Sequence, residues 1–93
     1  MSYRIIFHPE ADKEYRESFL WYETHEKNLG HRFEIAVEEK IDVIANNPER
    51  FPKRKGAYRE ALINHFPYII VYRVNKRLKQ ISFPLCFIQA VTP

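Results

Sequence analysis

The sequence predicts an α+β fold, an N-terminal strand and an α-helical hairpin packed on an antiparallel β-sheet, and three observations predict it. Apolar residues between Ala11 and Ile44 recur every three to four positions. After Tyr58 they switch to alternating and near-continuous β-branched and aromatic runs. Short polar turns separate these blocks, as in a domain that lays helices on one face of a sheet.

The first element is "YRIIF" at Tyr3 to Phe7, short, β-branched and aromatic, which suits a strand. Pro9 follows at a natural first helical position, with Glu10 and Asp12 where the helix dipole favours acids. Ala11, Tyr15, Phe19 and Tyr22 then make one apolar face, giving an amphipathic helix of about three turns. "THEKNLG" interrupts it, and a second helix begins near Leu29. Its stripe is Leu29, Phe33, Ala36, Val37, Ile41 and Ile44, and Asn46, Asn47 and Pro48 stop it. Two helices joined by so short a turn pack as an antiparallel hairpin.

In the second half "YREALI" alternates, and "PYIIVYRV" reads as a central strand covered by the helices. "VNKRL" supplies a tight turn, so residues 68 to 74 and 78 to 87 are expected to form a β-hairpin. Pro48 and Pro52 stiffen the exit from the second helix, with Phe51 as an apolar plug beneath it. Pro67 opens the central strand, where a missing N–H costs least. Trp21 and Tyr22 are expected to close one end of the core.

Composition excludes several classes. A chain of 93 residues makes one domain, and 45% hydrophobic with 29% charged residues is that of a soluble globule. No run approaches the roughly 18 apolar residues of a membrane span, and the N-terminus has no signal-peptide pattern, so a cytoplasmic protein with no membrane partner is expected. Cys86, the single cysteine, has no partner for an internal disulfide or a zinc site. With only Gly30 and Gly56 there is no glycine-rich phosphate loop, and no metal-ligand cluster is present, so no cofactor is expected.

The formal charge is +3, unevenly spread. Residues 10 to 45 hold most of the acid. Arg50, Lys53, Arg54, Lys55 and Arg59 follow, then Arg73, Lys76, Arg77 and Lys79. Such asymmetry suits an acidic partner or a nucleic acid backbone, and equally suits solvated turn residues of a basic protein.

Here the residues carry a resemblance. "WYE" at Trp21 to Glu23, "LGHRF" at Leu29 to Phe33, "NPERFP" at Asn47 to Pro52, "YREAL" at Tyr58 to Leu62 and "FPYIIVYRV" at Phe66 to Val74 run in the order of the RelE/ParE superfamily. The chain resembles those bacterial toxins of type II toxin-antitoxin (plasmid stabilisation) modules, and is closer to the ParE-like branch. The resemblance implies a growth-inhibiting toxin neutralised by a cognate, ParD-like or related antitoxin. It implies DNA gyrase as the target of a ParE-like member, and the ribosome with its mRNA as that of a RelE-like endonuclease.

RNA cleavage needs a base for the 2′-hydroxyl, cations for the phosphorane charge and an acid for the leaving oxygen. The candidates are Lys53, Arg54, Lys55, Arg59, Arg73 and His65, with Tyr72 near them in sequence. Cations are plentiful, but His65 is the one base, and a histidine ahead of a buried strand more often serves a turn. A ParE-like toxin, with Arg59 and the basic loop as target- or antitoxin-binding residues, is therefore preferred to an RNase, and whether the chain is an enzyme stays open. A toxin-fold module that only binds antitoxin is the third reading, since partly disordered antitoxins present acid to basic surfaces.

The ending departs from the family. Where relatives carry a segment resembling "VFHTSRNP", this chain has "CFIQAVTP". The nucleotides TTTCATACAAGCCGTAACCCC read Phe-His-Thr-Ser-Arg-Asn-Pro in one frame and, one base later, Phe-Ile-Gln-Ala-Val-Thr-Pro, the residues from Phe87 to Pro93. Residues 81 to 93 are thus read as a frameshifted C-terminus of a single toxin domain spanning 1 to 93, with a native divergent tail as the alternative. The first reading leaves the fold while removing a histidine and an arginine that bear on activity.

Overall fold

The computed structural model describes residues 3–84 and 88–89. The order is β1 (Arg4–Phe7), α1 (Pro9–His25), α2 (Leu29–Asn46), β2 (Lys53–Lys55), β3 (Tyr58–Leu62), β4 (Tyr68–Asn75), β5 (Gln80–Phe83) and β6 (Ile88–Gln89). The strands form one sheet in the order β1-β5-β4-β3-β2, with β6 also on β4. Two helices packed on a sheet confirm the expected α+β class.

α1 is longer than the three turns its apolar stripe suggests. Thr24 Oγ1 donates to the Trp21 carbonyl at 2.8 Å, and His25 Nδ1 bonds the same oxygen at 2.7 Å. These side chains satisfy a C-terminal carbonyl and carry the helix to His25. The turn to α2 uses Asn28 at φ 71, a left-handed position asparagine tolerates.

Asn28 makes no side-chain cap of its own. Glu23 supplies one from α1: its carboxylate accepts the Asn28 N–H at 3.2 Å and the Gly30 N–H at 3.0 Å. Gly30 is required because a Cβ there would lie 2.6 Å from the Phe19 carbonyl oxygen. The last residue of "WYE" and the second of "LGHRF" thus form one device that clamps the hairpin.

The core lies between hairpin and sheet. Ala11, Tyr22, Phe33, Val37 and Ile44 from the helices meet Ala61, Ile63, Ile70, Tyr72, Ile81 and Phe83. At one end Tyr22 and Phe33 pack edge-on to Phe66, with centroids 5.0 and 5.2 Å away, and Tyr68 closes the cluster. Trp21 does not share this role. It is 54% exposed and stacks on His25 at 3.8 Å, because one residue before Tyr22 it is rotated off the core-facing line of α1.

The sheet departs from expectation at both ends of the chain. β1 pairs parallel with β5, so the sheet is mixed. A crossover through both helices and three strands frees β1 from hairpin geometry. Of the strand expected over residues 78 to 87, β5 spans Gln80–Phe83 and ends ahead of Pro84, which has no N–H for a ladder, while 85–87 lie outside the described residues. On β4, Arg73 faces Ser82 of β5 and Ile69 faces Ile88 of β6. The remainder of the proposed frameshifted segment, 85–87 and 90–93, lies outside the described residues.

Candidate functional site

The basic group after α2 is not a loop, as the sequence suggested, but an edge strand. β2 carries Lys53, Arg54 and Lys55, and pairs with β3 through Lys53↔Arg59 and Lys55↔Tyr58. Arg54 lies between these pairs on β2 while no residue lies between them on β3, the mark of a bulge. Gly56, at φ +59, makes the turn between the strands, a conformation a side chain would strain. A short, lysine-bearing, bulged edge is poorly suited to pair with another sheet and well suited to display charge. The side chains of Arg54 and Lys55 lie outside the described residues, while Lys53 is exposed.

Alternation on β3 and β4 sorts the other candidates. Arg59 pairs with Tyr72 and Ala61 with Ile70. Ala61, Ile70 and Tyr72 all belong to the core, which places Arg59 on the face toward the helices. Tyr58 pairs with Arg73 on the opposite face, where both are exposed and the guanidinium lies 6.0 Å from the ring centroid. Arg59 and Arg73 therefore do different work.

Arg59 is largely enclosed, with its side chain 15% exposed. Its Nη1 donates to the Phe51 carbonyl at 2.6 Å and to the Glu49 carbonyl at 3.3 Å. Tyr72 is fully buried, and its hydroxyl donates to the Pro48 carbonyl at 2.8 Å. Burial pushes that hydroxyl's pKa up to about 12. Tyr72, one of the partner-binding candidates, is thus enclosed, with its hydroxyl engaged by the Pro48 carbonyl. Both side chains instead hold the "NPERFP" segment onto the sheet, because its carbonyls have no helix to satisfy them after Pro48.

Outside this anchor lies an ion pair. Lys76, in the β4–β5 turn, reaches Glu49 Oε2 at 2.7 Å, and Arg59 Nη2 lies 4.0 Å from the same oxygen. The hydrogen bond from Lys76 holds the Glu49 carboxyl below the usual carboxylate range and raises the Lys76 ammonium. The turn itself is fixed by Asn75 Oδ1, which accepts the Leu78 N–H at 3.0 Å. Nothing in the sequence marked Glu49 or Lys76 as a pair, since they are brought together across the sheet.

His65 stands apart. It occupies the β3–β4 turn at φ 70, beyond the end of β3 opposite to Gly56. Along a strand at about 3.4 Å per residue, that is roughly 20 Å from the Lys53 to Lys55 edge. The structure gathers the cations at one end of β3 and leaves the single candidate base at the other. Among the described residues no group of histidine, cysteine, aspartate and glutamate is placed to hold a metal ion. No helix among them is long and apolar enough to cross a membrane.

The family model described as ParE toxin of type II toxin-antitoxin system, parDE, matches residues 5–81. No curated protein sequence matches significantly. Among solved structures, a chain of the chromosomal ParDE TA system from P. aeruginosa superposes with a TM-score of 0.79 at 12% identity, over 96% of this chain and 97% of that one. The YoeB dimer from Staphylococcus aureus gives 0.66 at 21% identity, over 94% and 97%. At such identities the structural matches speak for the fold alone.

Proposed function

The chain belongs to the ParE toxin family of type II toxin-antitoxin systems, and from that premise we propose that it is a cytoplasmic, growth-inhibiting toxin of plasmid-stabilisation type, held by a cognate antitoxin and directed at DNA gyrase. The observation that carries the choice of target is the separation of His65 from the basic strand. A ribonuclease built on these residues needs its base within hydrogen-bond reach of the cations' phosphate, whereas a protein-binding toxin needs only a displayed, charged edge. Lys53, Arg54, Lys55 and Arg73 supply contacts in this reading. Arg59 and Tyr72 set the loop that presents them, and His65 shapes a turn.

The C-terminus enters the same reading. We take residues 1 to 93 as one toxin domain whose segment from 81 onward is frameshifted, so that this chain retains the fold and antitoxin binding but has reduced toxicity. Induced expression with and without a co-expressed antitoxin, followed by a supercoiling assay with purified gyrase, tests it. Copurification with the antitoxin and restoration of both growth arrest and supercoiling inhibition by the alternate-frame tail are expected. Ribosome-dependent mRNA cleavage by either form would sink the gyrase assignment.

One observation favours that second reading. Tyr58 and Arg73 place an exposed ring beside a guanidinium on the open face of the sheet, an arrangement on which a base can stack. Tyr58→Ala abolishing mRNA cleavage would establish it.

A further inference from the structure

The register of the sheet gathers a basic group that the target reading does not use as a unit. Cross-strand partners share a face, so Lys53, opposite Arg59, lies with it on the helix side of the sheet. Lys76 continues the row of Tyr72 and Val74, which also face the helices, into the β4–β5 turn. Cations from three separate segments thus meet at one end of the sheet, on the face opposite Arg73 and Tyr58.

A single acid sits among them. Glu49, on the loop after α2, gives its Oε2 to Lys76 Nζ at 2.7 Å, while Arg59 Nη2 stays 4.0 Å away, beyond hydrogen-bond reach. Lys53 adds its charge to theirs on the same carboxylate. Among the described residues no other carboxylate pairs with any of the three. Arg59 does not close the gap by swinging outward, because its Nη1 is held by the Phe51 and Glu49 carbonyls and its side chain is largely enclosed. The guanidinium therefore holds a fixed second nitrogen toward an anion, and a carboxylate tied to Lys76 falls short of it.

The carboxylate is a displaceable occupant. Glu49 and Lys76 are 48% and 66% exposed, and a salt bridge so open is weak and screened by salt. One carboxylate against three cations leaves a local surplus of positive charge. A phosphomonoester carries about two negative charges and three acceptor oxygens, enough to reach lysine and arginine together. The arginine is already ordered by the loop, so little freedom is lost when such an anion binds.

We propose that Lys53, Arg59 and Lys76 form a cradle for a phosphomonoester, either inorganic phosphate or the terminal phosphate of a nucleotide, and that the Glu49 carboxylate plugs it until such a ligand takes its place. Whichever molecule the toxin attacks, the cradle binds or fails to bind phosphate on its own.

Isothermal titration at low ionic strength with inorganic phosphate, and with a thymidine dinucleotide carrying or lacking a 5′-phosphate, tests this. Glu49→Gln keeps the side-chain shape and removes the charge of the plug, and is expected to tighten binding of inorganic phosphate and of the phosphorylated dinucleotide by about tenfold. Glu17→Gln, at an exposed position of α1, makes the same change in net charge and should leave both affinities unchanged. Lys76→Met in the Glu49→Gln chain should cancel the gain. An equal gain in Glu17→Gln, a gain that survives Lys76→Met, or a dinucleotide that binds as well without its 5′-phosphate each overturns the cradle. Acetate competing on level terms with phosphate does so too, and would mark a seat for an acidic protein. Circular dichroism checks the fold of each variant. If Glu49→Gln disturbs the loop, amide shifts in the unmodified chain decide: phosphate must move the Glu49 and Lys76 signals ahead of that of His65, and uniform or absent shifts overturn the assignment.

Discussion

Tyr72 and Arg59 are cross-strand neighbours, and each sends its polar end to the backbone of residues 48 to 51. Tyr72→Phe leaves the Pro48 carbonyl without its donor, at a cost of about 1 kcal/mol. Arg59→Ala removes a charged donor from two carbonyls, and about 2 kcal/mol or more is expected from urea denaturation. Arg73→Ala, on the open face, should stay within about 0.5 kcal/mol. Equal losses at Arg59 and Arg73 would show that the anchor does not exist in solution. Gly30→Ala drives a Cβ against the Phe19 carbonyl oxygen, and a loss of about 1–3 kcal/mol is expected from such overpacking.

At the scale of elements, the helix-on-sheet interface carries two buried phenols. Burial, and for Tyr22 the neighbouring Tyr68, push the pKa of Tyr22 and of Tyr72 up to about 12. The unfolded value is 10.0, so both groups favour folding fully below that pH. The unfolded chain releases these protons first, so stability falls as pH rises from about 10 toward 12. Tyrosinate absorbance followed with circular dichroism should show these two rings ionising only as the fold is lost. A full tyrosinate signal from a still-folded protein would contradict their burial. The β2 strand was illegible as a strand because Lys-Arg-Lys has little β-propensity. Its pairing is imposed by the Gly56 turn and by the anchored loop, both of which act through β3.

For the whole molecule, the net charge of +3 matters through its placement. The anchor and the Glu49–Lys76 pair keep a basic edge at one end of β3 while the turn at His65 stays apart. Replacing Lys53 and Arg73 together by Ala should leave the unfolding midpoint nearly unchanged, weaken antitoxin binding and flatten its salt dependence. Isothermal titration at two salt concentrations checks this. An unaltered salt slope would place the antitoxin elsewhere on the surface.

The sequence by itself determined the class and most of the boundaries. Periods of three to four and of two are properties of the local chain, so α2, β3 and β4 were legible nearly to the residue. The family motifs were legible too, because they are the local devices of the fold: the Glu23–Gly30 clamp, the prolines after α2, and the Tyr68–Asn75 strand. Only the tertiary structure decided which candidates are turned inward and which outward. A charged residue in a strand points to one face or the other according to register, and register is fixed by partners far away in the chain. That is why Arg59 turns inward to serve the loop and Arg73 turns outward beside Tyr58.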